Sequence, residues 1–389
     1  MTYWSEIVGQ AEAVSVLERA ASPGAEASLA HAWLITGPPG SGRSNLALRF
    51  AGALIARTLE SRDEAYAQVA AGTHPDLAVL TTQKVVIGID DVRDIVASAH
   101  YAPAEGRHRV IVIEDADRMP ERTSNVLLKA LEEPPERTVW LLCAPSEADL
   151  LPTIRSRTRS LRLVTPPAAE IAALLRERDG VDADLAGRAA RLAQGHIGMA
   201  RRLATSPEAL ARRERTVELA LGTETLGDAM RAAAELLKVA QADADALTEQ
   251  LNASERADAL RNMGVAPGAA IPPQLRSQIR ALEEDQKRRA TRSLRDGIDR
   301  ILTDLLSLYR DVLLSAMGAG AEPVNLEQQG RIDQLAVDWG ADRALAAVDA
   351  VEVARQRLAR AVTPGLVLEA MLASTVTRPI TVTARRAAS

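Results

Sequence analysis

The chain has 389 residues, of which 47% are hydrophobic and 25% are charged, and its formal net charge is −5 at pH 7. This length allows two or three globular domains, whereas the negative charge excludes a general attraction to nucleic acid, so any DNA contact needs a local basic patch. The single cysteine, Cys143, excludes a disulfide framework and a four-thiolate zinc site.

The first 165 residues alternate between strand-like and helix-like patterns. Strands are predicted over 33–36, 77–80, 109–113 and 139–143, and helices over 10–20, 44–56, 90–100 and 120–132. Continuous apolar runs of this kind are typical of strands that are buried on both faces of a parallel sheet. We therefore expect an α/β core, in which helices cover both faces of a parallel sheet.

After residue 165 the strand signal disappears. Short helices are predicted over 168–178 and 185–204, and alanine- and leucine-rich blocks indicate helix from residue 207 almost to the end. A Gly- and Pro-rich stretch, 262–273, predicts a loop, and the residues from Thr377 onward predict a polar, frayed tail.

One stretch of this helical region, 280–300, is densely charged. Such a run predicts a solvated helix face or an exposed helical hairpin. A contact with nucleic acid or with a partner protein is the alternative.

A glycine-rich loop follows the first predicted strand of the sheet. It consists of Gly37, Pro38, Pro39, Gly40, Ser41, Gly42, Arg43 and Ser44. The loop fits the phosphate-binding pattern G-x-x-x-x-G-K-[ST], except that Arg43 replaces the lysine. In such loops, backbone N–H groups and a helix N-terminus surround phosphate oxygens. Since a planar guanidinium is not interchangeable with an ammonium, the loop predicts the fold more firmly than it predicts catalysis.

Structural roles are predicted for three further polar residues of the α/β region. His74, in a Thr-His-Pro-Asp turn, is predicted to stabilise the turn rather than to act in catalysis, and Asp90 and Asp91 are predicted to cap the helix that follows them. The N-terminus has no basic-then-apolar signal and no run approaches the length of a membrane span, which predicts a cytoplasmic protein.

Several further motifs occur in a fixed order along the chain. They are WSEIVGQ at 4–10, THPD at 73–76, VIVIEDAD at 110–117, NVLLKALEEPP at 125–135 and LPTIRSRT at 151–158. Together with the glycine-rich loop, this series resembles the clamp-loader subunits of bacterial DNA polymerase III, which are AAA+ proteins, and most of all the delta-prime family. The resemblance is close over 1–165, extends through the helical lid to about 205 and is loose beyond it, although 362–369 resembles the last helix of a clamp-loader collar.

The resemblance implies three domains and a set of partners. The domains are an AAA+ P-loop core over 1–165, a helical lid over 166–206 and a helical collar for oligomerisation over 207–389. The implied partners are gamma/tau motor subunits and a delta subunit in a hetero-pentameric ring, with the sliding clamp and primer–template DNA reached through the complex. A bacterial cytoplasmic replisome, associated with the nucleoid and without a membrane contact, is the implied location.

The resemblance also places the residues of a nucleotide site. Val8 and Gly9 would lie near the adenine, Glu114 at the metal-holding position and Asp115 at the water-orienting position. The order expected in a motor subunit is Asp then Glu, so each carboxylate here has the wrong length, and a displacement near 1 Å costs about a hundredfold in rate. Where motor subunits carry a polar sensor and a sensor-2 arginine, this chain has Cys143 and Gly198.

Arg157, in Ser-Arg-Thr, matches the arginine that such subunits extend to the ATP of a neighbouring subunit. We therefore interpret the chain as a non-catalytic subunit that donates Arg157 in trans. An ordinary surface arginine, among Arg155, Arg159 and Arg162, is the alternative for this residue. A gamma/tau-like motor that hydrolyses ATP is the alternative for the whole chain.

No cofactor is required in this interpretation. Weak binding of ATP and magnesium is compatible with the loop, although we favour the view that the loop preserves a strand–helix turn. The zinc module that many relatives carry is absent, since 57–73 contains no cysteine. The basic residues Arg93, Arg107, His108 and Arg109 are predicted as a patch for DNA phosphates, with an ordinary solvated surface as the alternative.

Overall fold

The computed structural model describes residues 3–22, 24, 29–82, 86–262, 272, 275–360 and 362–376. The chain divides into two compact units, Met1–Ser206 and Pro207–Ser389. The predicted loop over 262–273 lies outside the described residues except at 262 and 272, and so does the predicted tail from Thr377.

The first unit contains a five-stranded sheet and nine α-helices within its described residues. The strands are β1 (Ala32–Thr36), β2 (Leu77–Leu80), β3 (Arg109–Ile113), β4 (Thr138–Ala144) and β5 (Arg159–Arg162). The helices are α1 (Ala11–Ala20), α2 (Arg43–Ile55), α3 (Arg62–Ala70), α4 (Ile89–Ala99), α5 (Glu121–Glu132), α6 (Pro152–Arg155), α7 (Ala168–Asp179), α8 (Ala183–Leu192) and α9 (Ile197–Thr205).

All neighbouring strands are parallel, in the order β2-β3-β4-β1-β5. Trp33 is paired with Leu141 and Ile111 with Trp140, so the longest apolar strands lie at the centre of the sheet. Because these strands are parallel and β1 lies beside β4, the carboxyl ends of β3, β4 and β1 lie next to one another at one edge of the sheet. Ligand sites of open α/β sheets are formed at such an edge.

Helices cover both faces of the sheet, as predicted. One face packs Trp33 and Val112 against residues of α1 and α2, including Leu17 and Phe50. The other face packs the strand residues Leu34, Ile111 and Trp140 against residues of α4 and α5, including Ile95 and Leu127. Burial on both faces explains why these strands are continuous apolar runs, and it confirms the predicted α/β core with a parallel sheet between two layers of helices.

Strand β5 and helix α3 are among the elements of this unit that the sequence pattern does not predict. Strand β5 reads Arg-Ser-Leu-Arg, and only Leu161 is buried. An edge strand tolerates such polar residues because one side of it faces no other strand. Helix α3, between α2 and β2, buries Ala65 and Val69 but begins with three charged residues, so it lacks a clear apolar pattern.

The roles predicted for residues in the turns before and after β2 are confirmed only in part. His74 Nδ1 accepts a hydrogen bond from the Asp76 N–H at 3.1 Å, which confirms its predicted role in the turn. Helix α4 begins at Ile89. The Asp91 carboxylate accepts a hydrogen bond from the Gly88 N–H at 3.1 Å, so Asp91 helps to cap the N-terminus of α4. Asp90 pairs instead with Arg93 at 3.0 Å, so its predicted capping role is wrong.

Helices α7, α8 and α9 follow the sheet within the same unit. The predicted helix over 185–204 is two helices, because Gln194 and Gly195 both have positive φ angles, 48° and 89°, and end α8. The proposed division of this unit into a core and a lid at residue 165 stays a prediction.

The described residues of the second unit form five long helices. They are α10 (Pro207–Leu221), α11 (Leu226–Asn262), α12 (Arg276–Ala316), α13 (Gln329–Ala359) and α14 (Pro364–Val376). Their core is aliphatic and includes Leu236, Leu302, Leu305, Val351 and Leu368, all fully buried. The regular recurrence of Ala and Leu, which predicted helix here, reflects this shared core.

A buried polar network lies between α10, α12 and the segment before α13. Arg213 Nε lies 3.1 Å from Asp304 Oδ1, and Arg213 Nη2 donates to Asn325 Oδ1 at 2.8 Å. Asn325 in turn donates to the buried Asp311 from its backbone N–H at 2.8 Å and from its side chain at 2.9 Å. Buried polar groups cannot form hydrogen bonds with water, so each group of this network depends on its protein partners for hydrogen bonding.

Asp304 should make the second unit more stable as the pH falls. Burial raises the pKa of Asp304 to about 6, although the nearby Arg213 and Arg300 guanidinium groups lower it. Because the folded pKa exceeds the unfolded value, this contribution is complete below about pH 4 and is lost as the pH rises through about 6.

Hydrogen exchange of α10 and α12 in the full chain tests this expectation. Between pH 7 and pH 4, the free energy of opening, corrected for intrinsic exchange, should change more in favour of the folded state in the wild-type chain than in Asp304→Asn. The comparison with Asp304→Asn is needed because the lowered pKa values of Asp228 and Glu235 act in the opposite direction. The same change in both proteins would show that Asp304 makes no such contribution.

No described helix combines the length and the apolar character that crossing a membrane requires.

Candidate functional site

The glycine-rich loop lies at the carboxyl edge of the sheet, between β1 and α2. The Gly37 N–H donates to the Pro145 carbonyl at 3.2 Å, which ties the start of the loop to the segment after β4. Gly42 precedes α2 with a φ of 91°, a conformation that side-chain-bearing residues rarely adopt. The loop therefore has the strand–loop–helix placement that its sequence predicted.

Arg43 does not extend away from the loop. Its Nη1 donates a hydrogen bond to the backbone carbonyl of Gly37, at the opposite end of the same loop. The cation at the lysine position is thus bound by the loop's own backbone.

His196 covers the loop from the start of α9. A Cβ atom added to Gly40 would lie 2.1 Å from His196 Cγ, so the imidazole packs directly on this glycine. The Ile197 N–H donates to the Gly40 carbonyl at 3.1 Å, and His196 Nδ1 accepts from the Met199 N–H at 3.1 Å. One residue therefore caps α9 and contacts the loop.

Acidic residues follow β3 at the same edge. Asp115 has a positive φ of 51° and pairs with Arg118 at 3.3 Å. The Cys143 thiol of β4 is fully buried, and burial raises its pKa to about 12; the charges of Glu114 and Asp115 raise it further and Arg43 lowers it. Arg43, Glu114 and Asp115 thus all influence the pKa of one thiol, and their role as a nucleotide site stays a prediction.

The predicted adenine-proximal residues pack against the chain that leaves β5. The Gly9 N–H donates to Glu170 Oε2 at 2.9 Å. The Gln10 side chain donates to the Val164 carbonyl at 2.8 Å and accepts from its N–H at 3.1 Å, while Val8 is buried. The Gly9 amide is therefore occupied by a carboxylate of the same chain.

Arg157 lies just after α6 and stays partly exposed, with 34% of its side chain accessible. Its Nη2 lies 2.6 Å from Glu132 Oε1, and its Nη1 donates to the Thr153 carbonyl at 2.8 Å and to Ser156 Oγ at 3.1 Å. These partners belong to the ends of α5 and α6, not to the glycine-rich loop. The guanidinium is held in one orientation at the surface.

The predicted basic patch for DNA does not form. Arg107 donates to the backbone carbonyls of Ala53 and Ala56 at 2.9 and 2.6 Å. His108 is buried with its Nδ1 3.1 Å from the Leu54 carbonyl, and Arg109 is buried and donates to Pro75. These cations join loops of the core to one another, and of the predicted set only Arg93 is exposed.

Sequence reasoning missed three residues that shape the site, namely Glu132, Glu170 and His196. Each makes its contact with a residue far along the chain, such as the 161 residues between Gly9 and Glu170. Glu132 does lie in the NVLLKALEEPP motif, but neither that motif nor any local pattern around Glu170 and His196 indicates which distant residue each would contact. Within the described residues, no group of three or more His, Cys, Asp or Glu side chains is placed to hold a metal ion.

Part of the chain is similar to a known protein family. Residues 9–167 match the family model described as "DNA polymerase III, delta subunit". This segment, which we call the delta-type segment, is therefore similar to the DNA polymerase III delta-subunit family. The delta-type segment covers the whole sheet, the glycine-rich loop and Arg157.

Curated relatives match less than half of the chain. DNA polymerase III subunit delta' of Pseudomonas aeruginosa is 37% identical over 153 residues, which is 38% of this chain and 47% of the relative. DNA polymerase III subunit gamma/tau of Mycobacterium tuberculosis is 31% identical over 196 residues, 46% of this chain and 32% of the relative. The chain thus spans less than half the length of these relatives.

Among solved structures, a DNA polymerase III gamma subunit-related protein of Thermotoga maritima superposes with a TM-score of 0.43. The two are 18% identical, and the superposition covers 95% of this chain and 98% of the other.

Proposed function

We propose that this chain is a delta-prime-type subunit of a DNA polymerase III clamp loader that does not hydrolyse ATP and donates Arg157 to a neighbouring subunit. It would join gamma/tau motor subunits and a delta subunit in a hetero-pentameric ring that loads the sliding clamp onto primer–template DNA. The family match over 9–167 supports the subunit class. The contrast between a self-bound Arg43 and a presented Arg157 carries the proposal.

The contacts of two polar groups near the loop support the proposed absence of ATP turnover. The Arg43 guanidinium is bonded to the Gly37 carbonyl, and the Gly9 amide is bonded to Glu170. Both bonds must break before these groups can bind a nucleotide. Glu114 and Asp115 also have exchanged lengths, and Asp115 is paired with Arg118.

These residues do not fit a productive site for ATP and magnesium. Ser44 keeps the hydroxyl with which such loops bind the metal ion, so weak nucleotide binding without turnover is the most that the site offers. The proposal requires no zinc and no other cofactor.

Donation of Arg157 rests on its surface position and its permanent charge. Phosphoryl transfer is catalysed largely by positioning and by stabilising negative charge, for which a guanidinium is well suited. Glu132 Oε1 lies 2.6 Å from Arg157 Nη2 and fixes its orientation while one third of the side chain stays accessible. At a subunit interface, Arg157 would exchange this carboxylate for the phosphates of the neighbouring site.

A motor subunit of the gamma/tau type is the second candidate. It is favoured by the mycobacterial gamma/tau relative, which matches 46% of this chain, against 38% for the Pseudomonas delta' relative. ATP turnover separates the two candidates.

We expect the purified chain to show no ATP hydrolysis above background, and Arg43→Lys to remain inactive as well, because both acidic residues stay exchanged. Steady-state phosphate release measures this. Turnover by the wild-type chain would establish the motor candidate.

Assembly is tested separately. Mixed with gamma/tau and delta subunits, the chain should co-elute with them as one complex in size-exclusion chromatography. Elution of the chain by itself would refute the clamp-loader role whatever its ATPase activity.

A further inference from the structure

Helices α11 and α12 run well beyond the core of the second unit. The buried core ends at Ala240 on α11 and begins at Ile298 on α12, and the backbone at Gly297 lies against Ala240. The remaining parts, 241–262 and 276–297, form a pair of helices that we call the arm. At 1.5 Å per residue each helix of the arm is about 30 Å long.

Polar contacts join the two helices of the arm. Arg289 Nη1 lies 2.9 Å from Glu255 Oε2 and 3.2 Å from Asn252 Oδ1. Arg256 pairs with Glu283 in the same way. The side of α12 that carries Arg289 therefore faces α11, and the opposite side faces away from it.

The outward side of α12 carries a row of cations. Arg280, Lys287 and Arg295 are spaced by seven and eight residues, which places them within about 80° of one another and along about 22 Å of the helix. Arg280 and Lys287 are exposed and Arg295 is half-buried. Among the residues that the structure describes, none of the three takes part in an ion pair. We call these three residues the basic row.

The surroundings of the basic row decide which partner it fits. The same face of α12 also carries Ser277, Glu284, Arg288 and Thr291, so it contains no apolar and no aromatic side chain. Protein interfaces are built around apolar and aromatic residues, and single-stranded nucleic acid is held by stacking on aromatic rings. A row of cations without either is suited to the phosphates of a duplex, which are bound from outside by Lys and Arg.

We propose that the arm binds the backbone of double-stranded DNA, without sequence preference, through Arg280, Lys287 and Arg295. The net charge of the chain is −5, so this attraction belongs to the row and not to the protein as a whole. The site lies in the second unit, outside the delta-type segment. It goes beyond the clamp-loader proposal and does not rest on it, since it needs neither ATP turnover nor assembly of a ring.

Fluorescence anisotropy of a labelled 20-bp duplex with the full chain, between 50 and 200 mM salt, tests the site. The arm variant combines Arg280→Ala, Lys287→Ala and Arg295→Ala, since alanine preserves helix. The matched control combines Arg176→Ala, Arg357→Ala and Arg360→Ala, which removes three exposed cations from α7, from α13 and from the residue after α13. Both variants change the net charge equally.

The arm variant should bind at least about tenfold more weakly at 100 mM salt. Its plot of log affinity against log salt should be shallower by about 0.9 for each lost phosphate contact. The control should stay close to the wild-type chain. Equal losses in both variants, or no binding by the wild-type chain at 50 mM salt, would overturn the proposal. Unchanged DNA affinity combined with lost retention on immobilised poly-glutamate would assign the row to an acidic polypeptide instead.

Discussion

Replacing Arg157 by alanine should lower ATP hydrolysis at the one neighbouring site it serves by about 10³-fold, the lower end of the range known for arginines supplied by a partner. The guanidinium is the group that we propose this subunit adds to that site. Arg157 is bound to Glu132 and to the Thr153 carbonyl rather than to the core of the sheet, so its removal should leave the fold and the assembly intact.

Single-turnover hydrolysis by the reconstituted loader, with clamp and primed DNA present, measures this effect. Arg155→Ala is the matched control, because it removes an exposed arginine two residues away. A loss confined to Arg157→Ala, with unchanged assembly, is the expected result. Equal rates for wild type and Arg157→Ala would make this residue a surface arginine and leave the chain as a passive scaffold.

In the second unit, Arg213→Ala should lower the free energy of unfolding by about 3–5 kcal/mol, the usual effect of removing one partner of a buried ion pair. Arg213 is 7% exposed and serves both Asp304 and Asn325. Alanine leaves the Asp304 carboxylate without its nearest cation and leaves Asn325 Oδ1 without that donor.

Hydrogen exchange in α10 and α12 of the full chain measures this loss. Arg215→Ala, on the same helix, is the control: Arg215 and Glu218 lie 3.8 Å apart and are about half exposed, so their pair should contribute less than about 1 kcal/mol. If both substitutions lowered the protection by the same amount, the network would have no special role in stability.

The core strands could be predicted from sequence because burial on both faces forces a continuous apolar run. Strands β1 and β4 show this, since every residue in them is buried. Strand β5 could not be predicted in this way, because an edge strand with one buried residue has no such pattern. The long helices of the second unit were predictable as helices, yet their alanine-rich pattern did not indicate where the shared core ends and the arm begins.

The candidate site was predictable where its residues are adjacent in the sequence, as in the glycine-rich loop. Contacts between distant residues were not, and Gly9 with Glu170 or Gly40 with His196 are examples. The basic patch failed for a related reason. A sequence shows that Arg107 carries a charge, but not that backbone carbonyls of the core already accept its hydrogen bonds.

The packing of the glycine-rich loop has a consequence for how such sequences evolve. Any side chain at Gly40 would collide with His196, and any side chain at Gly42 would have to adopt a φ of 91°. Selection for folding alone is enough to retain both glycines after ATP turnover is lost. In a lineage of such proteins, we therefore expect the glycines of the loop to change more slowly than the residues at positions 43, 114 and 115. If the proposed lack of ATP turnover holds, a genome survey that scores only the glycines will count subunits of this kind as ATPases, whereas positions 43, 114 and 115 will separate the two.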